Sequence, residues 1–280
     1  MVKYGCCLSL YSFGPRPSGG SADIKQAAMC FKDGVLKLLG NGFDYIELNT
    51  GSIVNISEDD YAIVSEAIRA CGIKVPTFNC FIPSTLKLVG DNVDYGEIEK
   101  YIEKAMERIE GVGGKCIVFG SGASRKVPDN FSMEKAEEQI IVFLNLCEKY
   151  GSYNGLTVAI EPLNRMETNM INTVSEAFRI SEKVDLPHVG VLADSYHMYM
   201  ENENAEILKK VKEKIFHIHI SDKNRSYPGK ISDGMDFKKF FGILKEINYD
   251  KTISLECGFD DIEKESLLSI KYIKNLWKIA

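Results

Sequence analysis

Four ionisable residues stand at or just beyond the C-terminal ends of four short apolar runs in the second half of this 280-residue chain: Glu161, Asp194, His219 and Glu256. Two glutamates, one aspartate and one imidazole form an oxygen-rich ligand set. Such a set suits Mn²⁺, Mg²⁺ or Co²⁺, and zinc less well without a thiolate. A single carboxylate at a strand end is more often a helix cap or loop contact. Four such groups on consecutive strands are harder to explain that way, because carboxylates so close cannot stay ionised together without a cation between them. The expectation is one divalent metal ion, Mn²⁺ first, on these four side chains.

The elements that must position them alternate along the whole chain. Strands are expected at Tyr4–Leu10, Phe43–Asn49, Lys74–Phe81, Lys115–Gly120, Leu156–Leu163, Val189–Ala193, Ile215–Ser221 and Thr252–Cys257. Amphipathic helical segments lie between them, such as Glu58–Ala70, Tyr95–Ile109, Met133–Lys149, Thr173–Val184 and Phe237–Ile247, with a last helix from Asp261 to Trp277. Strand followed by helix, repeated, is the pattern of a parallel sheet with helical crossovers. No linker divides the chain, and eight units in 280 residues fit a closed (β/α)8 TIM barrel, residues 1–280 as one domain, better than an open sheet. The glycine fingerprint of dinucleotide binding is missing after the first strand.

Period two assigns faces. In Ile215–Ile220, Phe216, Ile218 and Ile220 are expected to pack outward on the helices, while His217 and His219 point into the barrel. In Thr157–Glu161, Val158 and Ile160 face one way and Glu161 the other, and Glu256 opposes Ile253 and Leu255. His217 reads as an inward packing residue one layer below the metal. Glu47 reads as either a partner to a ligand or a buried hydrogen-bonding group. His188 follows Pro187 at a strand start, far from the active face, and reads as structural.

Bulk properties narrow the function classes. A net charge of −6 argues against a nucleic-acid partner, which calls for a basic face. No run approaches the length of a membrane span, and the N-terminus lacks the pattern of a signal peptide. None of the eight cysteines forms a C-x-x-C pair. A cytoplasmic protein is expected.

The segments Glu161-Pro162-Leu163-Asn164-Arg165-Met166-Glu167, Asp194-Ser195-Tyr196-His197-Met198, His217-Ile218-His219 with Asn224-Arg225 and Pro228-Gly229, and Leu255-Glu256, taken in this order, resemble the sugar phosphate isomerase/epimerase superfamily. They are most similar to its D-tagatose/D-psicose 3-epimerase branch. The match covers the second half of the chain; the first half shares only the βα rhythm. The resemblance implies a TIM barrel, a metal on Glu161, Asp194, His219 and Glu256, and contacts from Glu167, His197 and Arg225 to a small sugar substrate. It also implies a homodimer or homotetramer. The implied reaction is 3-epimerisation of a ketose or ketose phosphate through a cis-enediolate. Glu161 and Glu256 would serve as acid and base on opposite faces of the sugar.

The match departs from the family near the fourth strand. Ketose epimerases of that branch often set a tryptophan against the sugar there, whereas this chain's one tryptophan is Trp277 and the fourth strand is followed by Gly120-Ser121-Gly122-Ala123-Ser124-Arg125-Lys126. That segment reads as a loop, or as a cradle for phosphate through its amides, hydroxyls and two cations. A ketose–aldose isomerase or an inosose-type dehydratase could use the same metal site, and a barrel that only binds sugar is the non-enzymatic alternative. An abasic-site endonuclease shares the barrel but resembles a three-zinc site rich in histidines, and this chain has four in all.

Overall fold

The computed structural model describes residues 1–14, 23–72 and 75–280. Eight parallel strands close into a ring in chain order: β1 (Lys3–Leu8), β2 (Tyr45–Asn49), β3 (Thr77–Asn79), β4 (Cys116–Phe119), β5 (Thr157–Ile160), β6 (Val189–Asp194), β7 (Ile215–Ile220) and β8 (Thr252–Leu255), which pairs back onto β1. The helices are α1 (Ile24–Gly40), α2 (Gly51–Val54), α3 (Glu58–Ala70), α4 (Tyr95–Gly111), α5 (Gly122–Arg125), α6 (Met133–Gly151), α7 (Val174–Val184), α8 (Ser195–Met200), α9 (Ile207–Val211), α10 (Phe237–Glu246) and α11 (Ile262–Ile279). The expected barrel is the observed one. No helix among the described residues is long and apolar enough to cross a membrane.

Local chemistry starts the long helices where the sequence places them. The side chains of Ser57, Asp94, Ser132, Thr173 and Asp261 accept hydrogen bonds from backbone amides of the first turns of α3, α4, α6, α7 and α11. Each such cap is worth about 1 kcal/mol. The apolar stripes then close on the strands: Phe31, Val35 and Leu38 of α1, Phe143 and Leu144 of α6, and Phe241 and Leu244 of α10 are fully buried against the outer face of the barrel. Fully burying side chains of this size is worth roughly 1.5–3 kcal/mol apiece.

Two ladders are shorter than the apolar runs suggest. Expected strands Lys74–Phe81 and Leu156–Leu163 shrink to β3 and β5, and Lys74 itself lies outside the described residues. The other six agree within two residues at each end, with Thr252–Cys257 ending two residues early as β8. The backbone leaves the ladder at the C-terminal rim, where Pro162 has no N–H to contribute. Glu161 and Glu256 are the first residues past their strands, still tied by N–H bonds to Phe119 O (3.1 Å) and Ile220 O (3.0 Å).

One facing expectation is corrected. Ile218 and Ile220 do join the outer core, but Phe216 packs with Cys116, Val118, Ala159 and Leu192 in a separate cluster. The register explains it: between Val191↔Ile215 and Leu192↔His217, β7 advances two residues while β6 advances one. This bulge resets the alternation before His217. Gly190 leaves the room, since a Cβ there would stand 2.7 Å from the Phe216 ring.

Candidate active site

The ends of β5, β6, β7 and β8 bring the four predicted ligands together. One ligand atom from each of Glu161, Asp194, His219 and Glu256 lies within 4.8 Å of all the others. His219 Nδ1 is 2.9 Å from Glu161 Oε1, 3.6 Å from Glu256 Oε2 and 3.9 Å from Asp194 Oδ2. Glu161, Asp194 and His219 are buried, whereas the Glu256 side chain keeps 23% of its exposure and borders solvent. Asp194 also caps α8: its Oδ1 accepts from the Tyr196 and His197 amides at 2.6 and 3.1 Å, which turns Oδ2 to the cluster.

Beneath the cluster, Glu47 of β2 is wholly buried and joins two imidazoles. Its Oε1 lies 2.8 Å from His219 Nε2 and its Oε2 lies 2.7 Å from His217 Nε2. Ser254 Oγ donates to the same Oε2 at 2.6 Å and meets the Tyr45 hydroxyl at 2.8 Å. A carboxylate only accepts, so both Nε2 atoms carry protons. The remaining nitrogen of His219, Nδ1, is then the one that faces the carboxylates. His217 Nδ1 meets Thr252 Oγ1 at 2.7 Å, so His217 is indeed an inward residue one layer below the ligands. Burial opposes the charge on Glu47, yet the His219 and His217 imidazoles outweigh it and hold its carboxyl well below the usual range.

The two glutamates of the cluster differ in sense. Burial, and then the charge of Glu256, raise the Glu161 carboxyl above its ordinary value. Burial works the same way on Glu256, but the His219 imidazole and the Arg225 guanidinium prevail and bring it to about 2.

Arg225 is held over the cluster. Its guanidinium bonds Glu256 Oε2, lies 3.4 Å from Asp194 Oδ2 and 3.5 Å from Glu167 Oε1, and meets His197 Nε2 at 2.7 Å. It also stacks 4.6 Å from the Tyr196 ring centre. Two successive left-handed residues, Asn224 (φ 58°) and Arg225 (φ 55°), turn the chain back to achieve this. Asn164 completes the ring: its backbone N–H donates to His197 Nδ1 at 2.9 Å and its side-chain amide donates to Glu167 Oε1 at 3.0 Å. Of the three residues expected to touch substrate, Glu167 and Arg225 border the cleft, and His197 is buried behind them against Arg225.

The opening is a cleft of about 260 Å³ lined by Cys80, Ile82, Gly120, Leu163 and Glu167 as well as Glu161, Arg225 and Glu256. Gly120 has a steric reason: a Cβ there would lie 2.3 Å from Glu161 Oε2. The segment after β4 does border the cleft, through Gly120, Ser121, Gly122, Ala123 and Ser124. Residues Gly122–Arg125 form α5, Ser121 Oγ is taken by the Ile82 amide (2.9 Å), and Ser124 Oγ donates to Ser121 O (3.0 Å). Arg125 is fully buried, with all its hydrogen bonds on main-chain carbonyls. Arg125 is thus engaged by the backbone, and Ser121 Oγ and Ser124 Oγ each already make a backbone hydrogen bond. His188 lies at the start of β6 and pairs with Glu148 at 2.8 Å, a structural contact away from the cleft.

Tyr45 and Ser254 were given no role from the sequence, although alternation along β2 and β8 places them on the face of Glu47 and Glu256. Asn164, Tyr196 and Gly120 stand inside the quoted segments, but their contacts arise between loops of different βα units and no spacing assigns them.

Three carboxylates and the Nδ1 of one imidazole converging at a buried point are the donor set of a divalent cation that prefers oxygen. Glu47 behind His219 matches the carboxylate that commonly orients a ligating histidine. These residues fit such an ion.

Known proteins resemble this chain along most of its length. The chain is 32% identical over 224 residues to 3-dehydro-D-guloside 4-epimerase of Escherichia coli, covering 77% of this chain and 82% of that protein. It is 25% identical over 240 residues to L-ribulose 3-epimerase of a Methylomonas species, covering 84% and 82%. Among solved structures, that of 3-keto-D-glucoside 4-epimerase from E. coli superposes with a TM-score of 0.75 at 25% identity, over 98% of this chain and all of that one. The sequence profile described as xylose isomerase-like TIM barrel matches residues 36–276. The chain belongs to the xylose isomerase-like TIM barrel family.

Proposed function

We propose that the protein is a metal-dependent epimerase that inverts the hydroxyl-bearing carbon beside the ketone of a sugar, acting as a ketose 3-epimerase in the cytoplasm. The observation that carries the reading is the meeting of Glu161 and Glu256 at one point from β5 and β8, three strands apart around the ring. Inversion requires a proton to leave one face of a carbon and another to arrive on the opposite face. Two carboxyl groups approaching from different sides, one raised and one lowered in acidity, are the equipment for that exchange.

Glu161, Asp194, His219 and Glu256 would hold the metal, Mn²⁺ before Mg²⁺, Co²⁺ or Zn²⁺. The ion supplies positive charge that offsets the negative charge developing on the ketone oxygen when the neighbouring proton leaves. One glutamate accepts that proton as a carboxylate; the other, as a carboxylic acid, gives its proton to the opposite face. Each ends in the other's protonation state, and exchange with water resets the pair. Arg225, His197 and Glu167 contact the sugar oxygens, and Asn164 and Tyr196 keep those three in place. The eight cysteines are free, in keeping with a reducing compartment. The commitment of Arg125 to main-chain carbonyls favours an unphosphorylated sugar.

The 32% identity to a 4-epimerase supports a second substrate form, a 3-keto sugar inverted at carbon 4. The chemistry is unchanged; only the ketone's position along the sugar differs. The test is incubation of Mn²⁺-loaded protein in D₂O with ketoses, ketose phosphates and 3-keto glycosides, read by proton NMR. Deuterium at carbon 3 with a new ketose is the expected result. Deuterium at carbon 4 of a 3-keto sugar selects the second form. An aldose product or loss of water replaces epimerisation with isomerisation or dehydration. No exchange anywhere removes the catalytic reading and leaves a sugar-binding barrel.

A further inference from the structure

Two arginines are buried among the described residues, and they are used differently. Arg108 of α4 caps the turn after α2 through the carbonyls of Ile53 (2.6 Å) and Ile56 (3.0 Å), and its charge is met by an ion pair with Glu58. Arg125, at the end of α5, is fully buried and hydrogen-bonds carbonyls only: Nη1 donates to Phe119 O at 2.9 Å, and Nη2 donates to Glu161 O at 2.7 Å and to Ile171 O at 3.3 Å. Its Nε has no partner, and its guanidinium carbon lies 5.3 Å from the Phe119 ring centre. Burying a cation costs several kcal/mol unless opposite charge is near. The carboxylates whose charge offsets this burial are Glu161 and Glu167, both residues of the cleft.

The two main carbonyls that Arg125 holds have a particular place. Phe119 is the last residue of β4, and the next residue is Gly120, the glycine against which the Glu161 carboxylate rests. Glu161 is the first residue past β5, and Phe119 pairs with Ile160 just before it. One rigid, planar fork therefore spans the chain on both sides of the Glu161 carboxylate: the peptide leading into Gly120 and the carbonyl of Glu161 itself. Arg125 does not line the cleft. We infer that Arg125 is a positioning residue whose fork fixes where the Glu161 carboxylate stands at the metal and acid–base site. The inference rests on the reading of Glu161 given above. A lysine would keep the charge but, with one nitrogen on a flexible stem, could not hold both carbonyls in the same plane.

The test compares Arg125→Lys with Arg108→Lys, the latter an equally buried arginine remote from the cleft. Three quantities are read: Mn²⁺ affinity of metal-stripped protein by calorimetry, amide hydrogen exchange of the segment 161–164, and kcat and KM on whichever sugar the wild type turns over. Arg125→Lys is expected to weaken Mn²⁺ binding about ten-fold or more and to speed exchange at 161–164. It should also lower kcat at least ten-fold with KM held within about three-fold, in line with the cost of disturbing a partner of a metal ligand. Arg108→Lys should lower the melting temperature while leaving all three nearly unchanged. If Arg125→Lys does not fold, Arg125→Gln, which carries no buried charge, enters the same comparison. Wild-type values in a folded Arg125 variant, or equal losses in both arginine variants, would overturn the assignment. If the wild type turns over no sugar, the acid–base reading fails, and the exchange and Mn²⁺ comparison still decides whether Arg125 positions Glu161.

Discussion

Glu47→Gln is the perturbation that separates a ligand-orienting carboxylate from mere filling of the barrel. Glu47 receives three hydrogen bonds, from His217, His219 and Ser254, at 2.7, 2.8 and 2.6 Å, with no exposure to water. Glutamine keeps the shape but offers one acceptor oxygen and an NH₂ group, so at least one imidazole must move its proton to the other nitrogen. If that imidazole is His219, the proton arrives on Nδ1, the atom facing Glu161, Asp194 and Glu256. Hydrogen bonds to a charged group contribute about 1.5–3 kcal/mol and neutral ones about 0.5–1.5. Converting the two imidazole bonds from one class to the other therefore costs about 2 kcal/mol. At roughly 2–4 °C per kcal/mol for a chain of this size, the melting temperature should fall by about 4–8 °C. Mn²⁺ affinity should fall about 10–100-fold, the usual penalty for removing a partner of a metal ligand. Glu47→Leu, which leaves three buried donors unpaired, should be worse on both counts. Calorimetric titration with Mn²⁺ and a thermal scan of each variant provide the check. Mn²⁺ affinity within two-fold of wild type and a melting point within a degree or so in Glu47→Gln would refute the tautomer argument.

Removing and restoring the metal should move stability by mass action: Mn²⁺ at a hundred times its Kd adds about 2.7 kcal/mol over the stripped protein. A calorimetric scan showing no such shift would count against the four-residue site. Gly120→Ala should lower turnover at least ten-fold with the barrel still folded by circular dichroism, because its Cβ would meet Glu161 Oε2 at 2.3 Å; full activity would mean Glu161 need not stand there. Glu137 is pulled from 4.5 to about 2, first by its hydrogen bond to Arg179, against a smaller opposing effect of burial, and also by Lys183. A lowered carboxyl stabilises the fold above its unfolded value and loses that contribution as pH falls through its folded value. The melting-point advantage of wild type over Glu137→Gln should thus be complete above about pH 5 and fade between pH 4.5 and about 2. A gap that stays constant through that window would contradict the pairing.

Much of this protein is local and therefore legible in one dimension. The 3.6-residue periodicity of Glu58–Ala70 predicts α3 to the residue, and the alternation of His217 with His219 shows which face of β7 looks inward. Strand ends carrying Glu161, Asp194, His219 and Glu256 needed only the knowledge that parallel barrel strands all present those ends on one side. Other features depended on register and on which loops meet. The bulge between β6 and β7 turned Phe216 away from the face that simple alternation gives it. Whether Glu47 bridges His217 and His219 depends on β2 facing β7 across the ring, 170 residues apart in the chain. Arg125 reads in the sequence as a free cation beside glycines and serines, yet the fold buries it on the carbonyls of Phe119 and Glu161. Short-range periodicity arises from the geometry of a single helix or strand and is written in neighbouring residues. The partners of a buried charge are chosen by closure of the barrel, which brings together groups that no spacing along the chain relates.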